Sequence, residues 1–251
     1  MTFIFGMGMG PIGMLCTDTR MNLQTADGTW KRNDIGLQRF LLRDGSVLEV
    51  PPKKRKMRRM PCGWVAASSS SHLLSEAIFA ALSHPEIGEP SDIYHVARTV
   101  LRGEGERLHA EFSNPDPYDR VNLIYLYAEG RQFRVGHCEI GQRDDSGHVS
   151  DYALSLPEDF DEDHLDQVRH RLTGALFVPE DAAALWKLAR AAADIVYCVH
   201  RASESVSDQM DLVMLVRDAG GQAMRLEWNG RSSELREADD TVVSAAMTVS
   251  E

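Results

Sequence analysis

Short β-prone hairpins and pairs of amphipathic helices alternate along this chain, and that order admits few folds. Residues 2–7 and 12–17 are apolar runs flanking Gly8-Met9-Gly10-Pro11, which predicts an opening hairpin. Residues 38–42 and 46–50 predict a strand pair about the turn Arg43-Asp44-Gly45-Ser46. The turn Pro61-Cys62-Gly63 leads into a buried-strand candidate at 64–67. Leu73, Leu74, Ala77, Ile78, Ala81 and Leu82 then recur at helical spacing, and Ser71 is placed to accept a bond from an orphan backbone N–H as N-cap. A second helix is predicted over 92–101, capped by Ser91. Strands follow over 121–127, 132–140 and 149–156, then helices over 162–172 and 179–200, where Pro179 suits a first turn. A hairpin over 211–216 and 222–228 closes the pattern, and residues from 239 onward are expected to be weakly tied.

Hairpins interleaved with helix pairs imply antiparallel sheets with helices packed outside them, an α+β layered class. No internal repeat and no Gly-, Pro- or Ser-rich linker divides the chain, so residues 1–251 are expected to form one domain.

Charge narrows the function classes. The net charge is -11, yet the first sixty residues hold eleven Lys and Arg against five Asp and Glu. An acidic whole argues against nucleic-acid binding, which needs a basic surface to release phosphate counterions. The basic run Lys53-Lys54-Arg55-Lys56-Met57-Arg58-Arg59 reads, by itself, as a solvated face. No apolar stretch is long and charge-free enough to span a membrane; the segment near 182–199 carries Lys187, Arg190 and Asp194.

The other chemical motifs lead away from cofactors. Four cysteines stand at 16, 62, 138 and 198, none spaced as metal ligands, and a reduced, cytoplasmic setting is expected. Cys16 and Cys198 read as core residues, and so do Met7, Met9, Met14 and Met21. The nine histidines include no HExxH, and His164 and His170 read as solvent-exposed. Gly6-x-Gly8-x-Gly10 is followed by a strand rather than a helix, which excludes a dinucleotide fingerprint. Asp159, Asp161, Glu162 and Asp163 lack the register of a calcium loop and read as an acidic cluster at a helix N-terminus. No metal and no cofactor is expected.

The front of the chain is more specific. Once Met1 is removed, Thr2 opens the first strand, and Asp18-Thr19-Arg20 begins sixteen residues later. Lys56-Met57-Arg58-Arg59-Met60 comes next, followed by a turn, a strand of small residues, and the run Ser68-Ser69-Ser70-Ser71 leading into a helix. Over residues 2–82 this order resembles the proteasome β-type family of N-terminal-nucleophile hydrolases, including the bacterial proteasome-related peptidases. The resemblance implies a four-layer αββα sandwich of antiparallel sheets, with 22–52 a hairpin insertion. It implies Thr2 as nucleophile and base, Asp18 and Lys56 as its charged partners, and backbone N–H groups of Ser68 and Ser69 holding an oxyanion. Arg20 completes the Asp-x-Arg motif, and Glu204-x-x-Ser207 stands where the family has a late Asp-x-x-Ser pair. Lys31, Lys53 and Lys54 are alternative counterparts of the lysine, because Asp18 and Lys56 stand further apart than the family's pair. The family's oxyanion-loop glycines are replaced here by Ala67 and serines, and its Gly-Ser-Gly loop has no clear counterpart.

The chemistry explains why such residues belong together. A threonine hydroxyl is a weak nucleophile and needs a base beside it. A chain-terminal amine has a pKa of roughly 7.7–8.0 and sits on the same residue. A neighbouring ammonium lowers that pKa and leaves more of the amine unprotonated near neutrality. The expected function is a threonine-type amidohydrolase acting on a peptide or amide through an acyl-enzyme. The resemblance further implies a ring-like homo-oligomer and an unfoldase partner. The alternatives are a non-catalytic scaffold subunit of the same fold and an unrelated binding module that grips an acidic partner through the basic run.

Overall fold

A computed structural model describes residues 3–19, 22–24, 30–32, 38–50, 56–84, 87–112, 119–141, 145–157, 159–175, 182–218 and 220–250. Two antiparallel sheets form its centre. The first sheet takes strands from across the chain: β1 (Ile4–Met9), β2 (Ile12–Asp18), β12 (Tyr152–Ser155), β13 (Gln209–Arg217), β14 (Ala223–Arg231) and β15 (Thr248–Ser250). Their order is β12-β1-β2-β13-β14-β15. The second runs β11-β10-β9-β8-β7, with β7 (Met57–Arg59), β8 (Val65–Ser68), β9 (Arg120–Glu129), β10 (Gln132–Gly141) and β11 (Asp145–Ser150).

Period-2 alternation sends each strand's side chains to two different apolar layers. On β1 and β2, Phe3, Phe5, Met14 and Cys16 face one way, onto α4 (Leu165–Ala175) and α5 (Ala182–Ala202). Ile4 and Leu15 face the other way and meet Ile124, Leu126, Phe133 and Val135 of the second sheet. The far side of the second sheet packs Leu123 and Tyr125 against α1 (His72–Leu82) and α2 (Pro90–Val100). Three buried layers between helices, sheet, sheet and helices make the αββα sandwich. Both faces of each sheet are covered, which is why β2 is buried along its whole length.

Local chemistry fixes most of the boundaries. Ser71 caps α1 by accepting the Leu74 N–H at 3.3 Å, as its position predicted. The buried stripe of α1 is Leu74, Ser75, Ile78, Phe79 and Leu82, so Leu73 and Ala77 sit at its margin. Helix α2 starts earlier than predicted, capped at Glu89 rather than Ser91. Asp92 accepts the N–H groups of Gly88 and Glu89 at 3.0 and 2.8 Å, and Pro90 occupies the first turn. It then runs on through a π-helical turn, Leu101–Gly105, into α3 (Glu106–Glu111).

Two further expectations need correction. The run predicted as one strand over 149–156 is split at Asp151, whose carbonyl accepts the Gly8 N–H at 2.8 Å. Its first half ends β11 in the second sheet and its second half forms β12 in the first. Residues 239–250 are held, not weakly tied. Asp239 accepts the Val242 N–H at 2.9 Å to cap α7 (Asp240–Ala246), which follows α6 (Ser232–Glu237). Val243 and Met247 are buried, and β15 pairs with β14.

Between β2 and β7 lie two strand pairs outside both sheets, β3 (Asn22–Gln24) with β4 (Trp30–Arg32) and β5 (Gln38–Leu41) with β6 (Val47–Val50). The predicted turn at 43–46 therefore joins paired strands. Arg43 docks that hairpin on α3. Its backbone N–H donates to Glu111 O and its guanidinium to His109 O, both at 3.0 Å, where a helix C-terminus presents orphan carbonyls.

Candidate functional site

Several backbone ends converge at one edge of the sandwich. Strand β2 finishes at Asp18, β7 starts beside Lys56, β8 finishes at Ser68, and β12 finishes at Ser155. Register brings the ends together: Ile4 lies between Thr17 and Ser155, Met57 pairs with Ala67, and Ser68 pairs with Leu123.

The Lys56 ammonium donates to Asp18 Oδ1 at 3.0 Å, with Lys56 4% and Asp18 0% exposed. The Phe3 N–H donates to the same oxygen at 3.0 Å, and the Ser207 N–H reaches Asp18 Oδ2 at 3.4 Å. Thr17 locks the neighbouring backbone by donating its hydroxyl to Phe3 O at 2.8 Å. Burying two charges costs several kcal/mol per ion after relaxation, and the attraction between them only partly offsets it. Such a pair is a poor source of stability.

Asp18 and Lys56, 38 residues apart in sequence, are thus in contact. Thr2 and Arg20 lie outside the described residues, as do Lys53, Lys54 and Met21; Lys31 falls on β4. The basic run is not one solvated face. Lys56 is buried, and Arg58 pairs with Glu76 of α1 at 2.9 Å; only Arg59 is exposed among its described cations. Ser207 is buried at the pair, while Glu204 is exposed in the same turn.

The serine loop is built by side-chain hydroxyls. The Ser70 N–H donates to Ser68 Oγ at 3.2 Å, and the Ser68 and Ser75 hydroxyls lie 3.0 Å apart. No described non-glycine residue has positive φ, so the serines carry a β-carbon here without backbone strain. The Ser69 N–H, one of two expected oxyanion donors, donates instead to Asn122 O at 3.0 Å. That bond extends the β8–β9 ladder by one residue into the loop.

Sequence reading missed Asn122, Ser155 and His137. Asn122 donates its side-chain amide to Ser155 Oγ at 3.1 Å and meets His137 Nε2 through Oδ1 at 3.0 Å. His137 also stacks edge-on against His148, 4.9 Å between ring centres. Burial, and then His148, lower its pKa, with Glu139 opposing. Its NMR titration midpoint is expected below the usual value of about 6.5. No local pattern marks these residues, because each meets its partner across a strand boundary, through a register that its own segment does not encode.

Beyond the site, Cys16, Cys138 and Cys198 are buried and Cys62 is exposed. Met7 and Met14 are buried, and Met9 packs partly buried against the same layer. His170 is exposed, whereas His164 is half-buried against Asp161 at 3.0 Å. Asp159 binds the Ser205 N–H at 3.0 Å and Asp161 the Asp163 N–H at 3.0 Å, so the acidic cluster ties turns. Among the described residues no His, Cys, Asp and Glu group is arranged to hold a metal ion, and no helix is long and apolar enough to cross a membrane.

The same arrangement of layers recurs in solved structures. The Anbu (Gly-1) mutant from Hyphomicrobium sp. strain MC1 superposes with a TM-score of 0.54 at 14% identity, covering 98% of this chain and 96% of that one. Anbu (ancestral beta-subunit) from Yersinia bercovieri gives 0.57 at 12% identity, covering 97% and 91%. The fold is that of the proteasome-type N-terminal-nucleophile proteins. At these identities the likeness concerns the fold alone. No family model matches the sequence, and no curated protein matches it either. The Anbu-like sandwich spans nearly the whole chain, so the likeness extends well beyond residues 2–82.

Proposed function

We propose that this chain is a threonine-type N-terminal-nucleophile amidohydrolase, a peptidase, with Thr2 as its nucleophile after Met1 is removed. The observation that carries the reading is the buried Asp18–Lys56 pair, which the chain's own amino end reaches at Phe3, one residue after Thr2. In this reading Lys56 keeps the Thr2 amine unprotonated near neutrality, and Asp18 holds Lys56 in place. The amine takes the hydroxyl proton as the Thr2 oxygen bonds to the substrate carbonyl carbon. The proton passes to the leaving amine as the C–N bond breaks, and water then hydrolyses the ester by the reverse route. The oxyanion donor candidate is the Ser68 N–H at the end of β8, where the serine loop begins, with Arg20, Glu204 and Ser207 as supporting residues of the site.

The rest of the proposal follows from the family resemblance: one domain with residues 22–52 as an insertion, a ring-like homo-oligomer, a cytoplasmic setting, and an unfoldase that delivers substrate. One observation favours a second reading, a scaffold subunit without catalysis. The Ser69 N–H is already engaged by Asn122 O, which leaves the loop one oxyanion donor short of the expected two.

The amino terminus tests the first reading. Intact mass is expected to show loss of Met1. Periodate, which cleaves a vicinal amino alcohol, is expected to convert the exposed terminal threonine to an aldehyde. Retention of Met1 in the purified protein excludes the mechanism and leaves the scaffold reading.

A further inference from the structure

The loop after β8 and the strand that carries the amino end belong to different sheets, so something must set the gap between them. We propose that Asn122 is the positioning residue that does so, clamping the Ser68–Ser71 loop to the first sheet. What the clamped loop is for rests on the hydrolase reading; how it is held does not.

Asn122 uses backbone and side chain in two directions. Toward the loop, its carbonyl accepts the Ser69 N–H at 3.0 Å and its N–H donates to Ser70 Oγ at 3.2 Å. Toward the other sheet, its side-chain amide donates to Ser155 Oγ at 3.1 Å. Ser155 is buried, ends β12, and pairs directly with Ile4 of β1. The remaining amide oxygen faces His137 Nε2 at 3.0 Å, and His148 backs that ring. A carboxamide presents a donor NH2 group and an acceptor oxygen on a single rigid plane, which suits a hydroxyl on one side and an imidazole N–H on the other. The short stem leaves few rotamers, so this side chain couples the serine loop to β12, the neighbour of β1, at the same edge as the Asp18–Lys56 contact. Oxyanion donors in that loop must stand within a few tenths of an ångström of their working position, and a displacement of about 1 Å can cost roughly 10²-fold in rate.

The test compares Asn122→Ala, Asn122→Asp and Ser155→Ala in the full chain. Asparagine's acidic analogue keeps an acceptor for His137 and gains one for the Ser155 hydroxyl proton, so it preserves the link. Asn122→Ala and Ser155→Ala are expected to speed amide hydrogen exchange at Ser69 and Ser70 by about tenfold, as loss of one hydrogen bond to a locally opening segment does. Exchange in the middle of α5 should not change. Against a peptide that the wild type cleaves, Asn122→Ala is expected to lower kcat by about 10–100-fold with KM within about twofold, and Asn122→Asp to restore most of it. Unchanged exchange in both alanine variants overturns the proposal, and so does a kcat loss that the Asp variant fails to rescue. Thr2→Ala separates the two ideas: it should abolish turnover while leaving exchange at Ser69 and Ser70 as in the wild type. Should the wild type cleave no peptide, faster exchange in the alanine variants still supports the clamp, and the hydrolase reading alone fails.

Discussion

Thr2→Ala is expected to reduce peptide hydrolysis to background, on the order of 10⁴-fold or more, and Lys56→Ala to reduce it by about 10²–10⁴-fold. The two losses should differ in kind. On the proposed reading, Thr2 supplies the attacking oxygen and the amine that takes its proton, so little chemistry is left without it. On the same reading Lys56 acts through charge, from a site 4% exposed, against a carboxylate that is fully buried. Removing one member of a buried pair costs roughly 3–5 kcal/mol, because the other charge stays behind in a low-dielectric surrounding. For a chain of this size that lowers Tm by about 6–20 °C. Lys56→Ala and Asp18→Ala should therefore lose stability and activity together. The double variant Asp18→Asn, Lys56→Met removes both charges while an amide oxygen remains for the Phe3 N–H. It is expected to recover most of the lost Tm and none of the activity. Thermal melts and turnover on one set of samples check this. If Lys56→Ala melts early yet turns over normally, the pair is structural and the catalytic assignment falls.

How far the sequence discloses this site depends on the residue. The two members of the charged pair were legible only through the family pattern, since nothing local relates position 18 to position 56. Their contact needs β2 to end and β7 to start at the same edge of two different sheets. Asn122 was not legible at all: it looks like an ordinary polar position in an alternating strand. Its partners come from the loop after β8, from β10 and from β12, and register between strands has no local signature. The Ser69 N–H shows the same limit, because a run of serines does not reveal which amides the neighbouring strand has already engaged.

Elements with local causes were easier. Ser71 capping α1 and the opening hairpin follow from residue chemistry alone. The misreadings have physical reasons too. An apolar run such as 149–156 states that its residues are buried, not which sheet buries them, and Asp151 turns it from one to the other. The helix predicted to stop at 101 continues because Gly103 and Gly105 sit in a π turn, where helical propensity is overruled by the burial of Leu101 and Leu108. Residues past 239 look polar overall, yet Asp239 begins a helix and Val243 and Met247 anchor it.

Gly8→Ala is expected to cost about 3 kcal/mol or more, a fall in Tm of roughly 6–12 °C. Gly6-x-Gly8-x-Gly10 has the look of a phosphate-binding run, but Gly8 is there for the close approach of two sheets. A β-carbon on Gly8 would stand 2.7 Å from Phe133 O and 2.7 Å from Arg134 Cα. Those are backbone atoms of β10, fixed by their own ladder, so no side chain can swing aside to admit it. The contact is pinned on both sides of the glycine: the Gly8 N–H donates to Asp151 O and the Phe133 N–H donates to Gly10 O, each at 2.8 Å. Overpacking a core usually costs about 1–3 kcal/mol, and a backbone collision belongs at the upper end or above. Gly10 provides the control. Its φ is +58° and nothing lies within 4 Å of its notional β-carbon, so Gly10→Ala should cost about 1–2 kcal/mol through backbone strain alone. Asparagine tolerates that left-handed conformation and should recover part of the loss at Gly10, but it should recover none at Gly8, where the obstacle is space. Equal costs at the two positions, or rescue of Gly8 by asparagine, would show that the sheets are free to separate there.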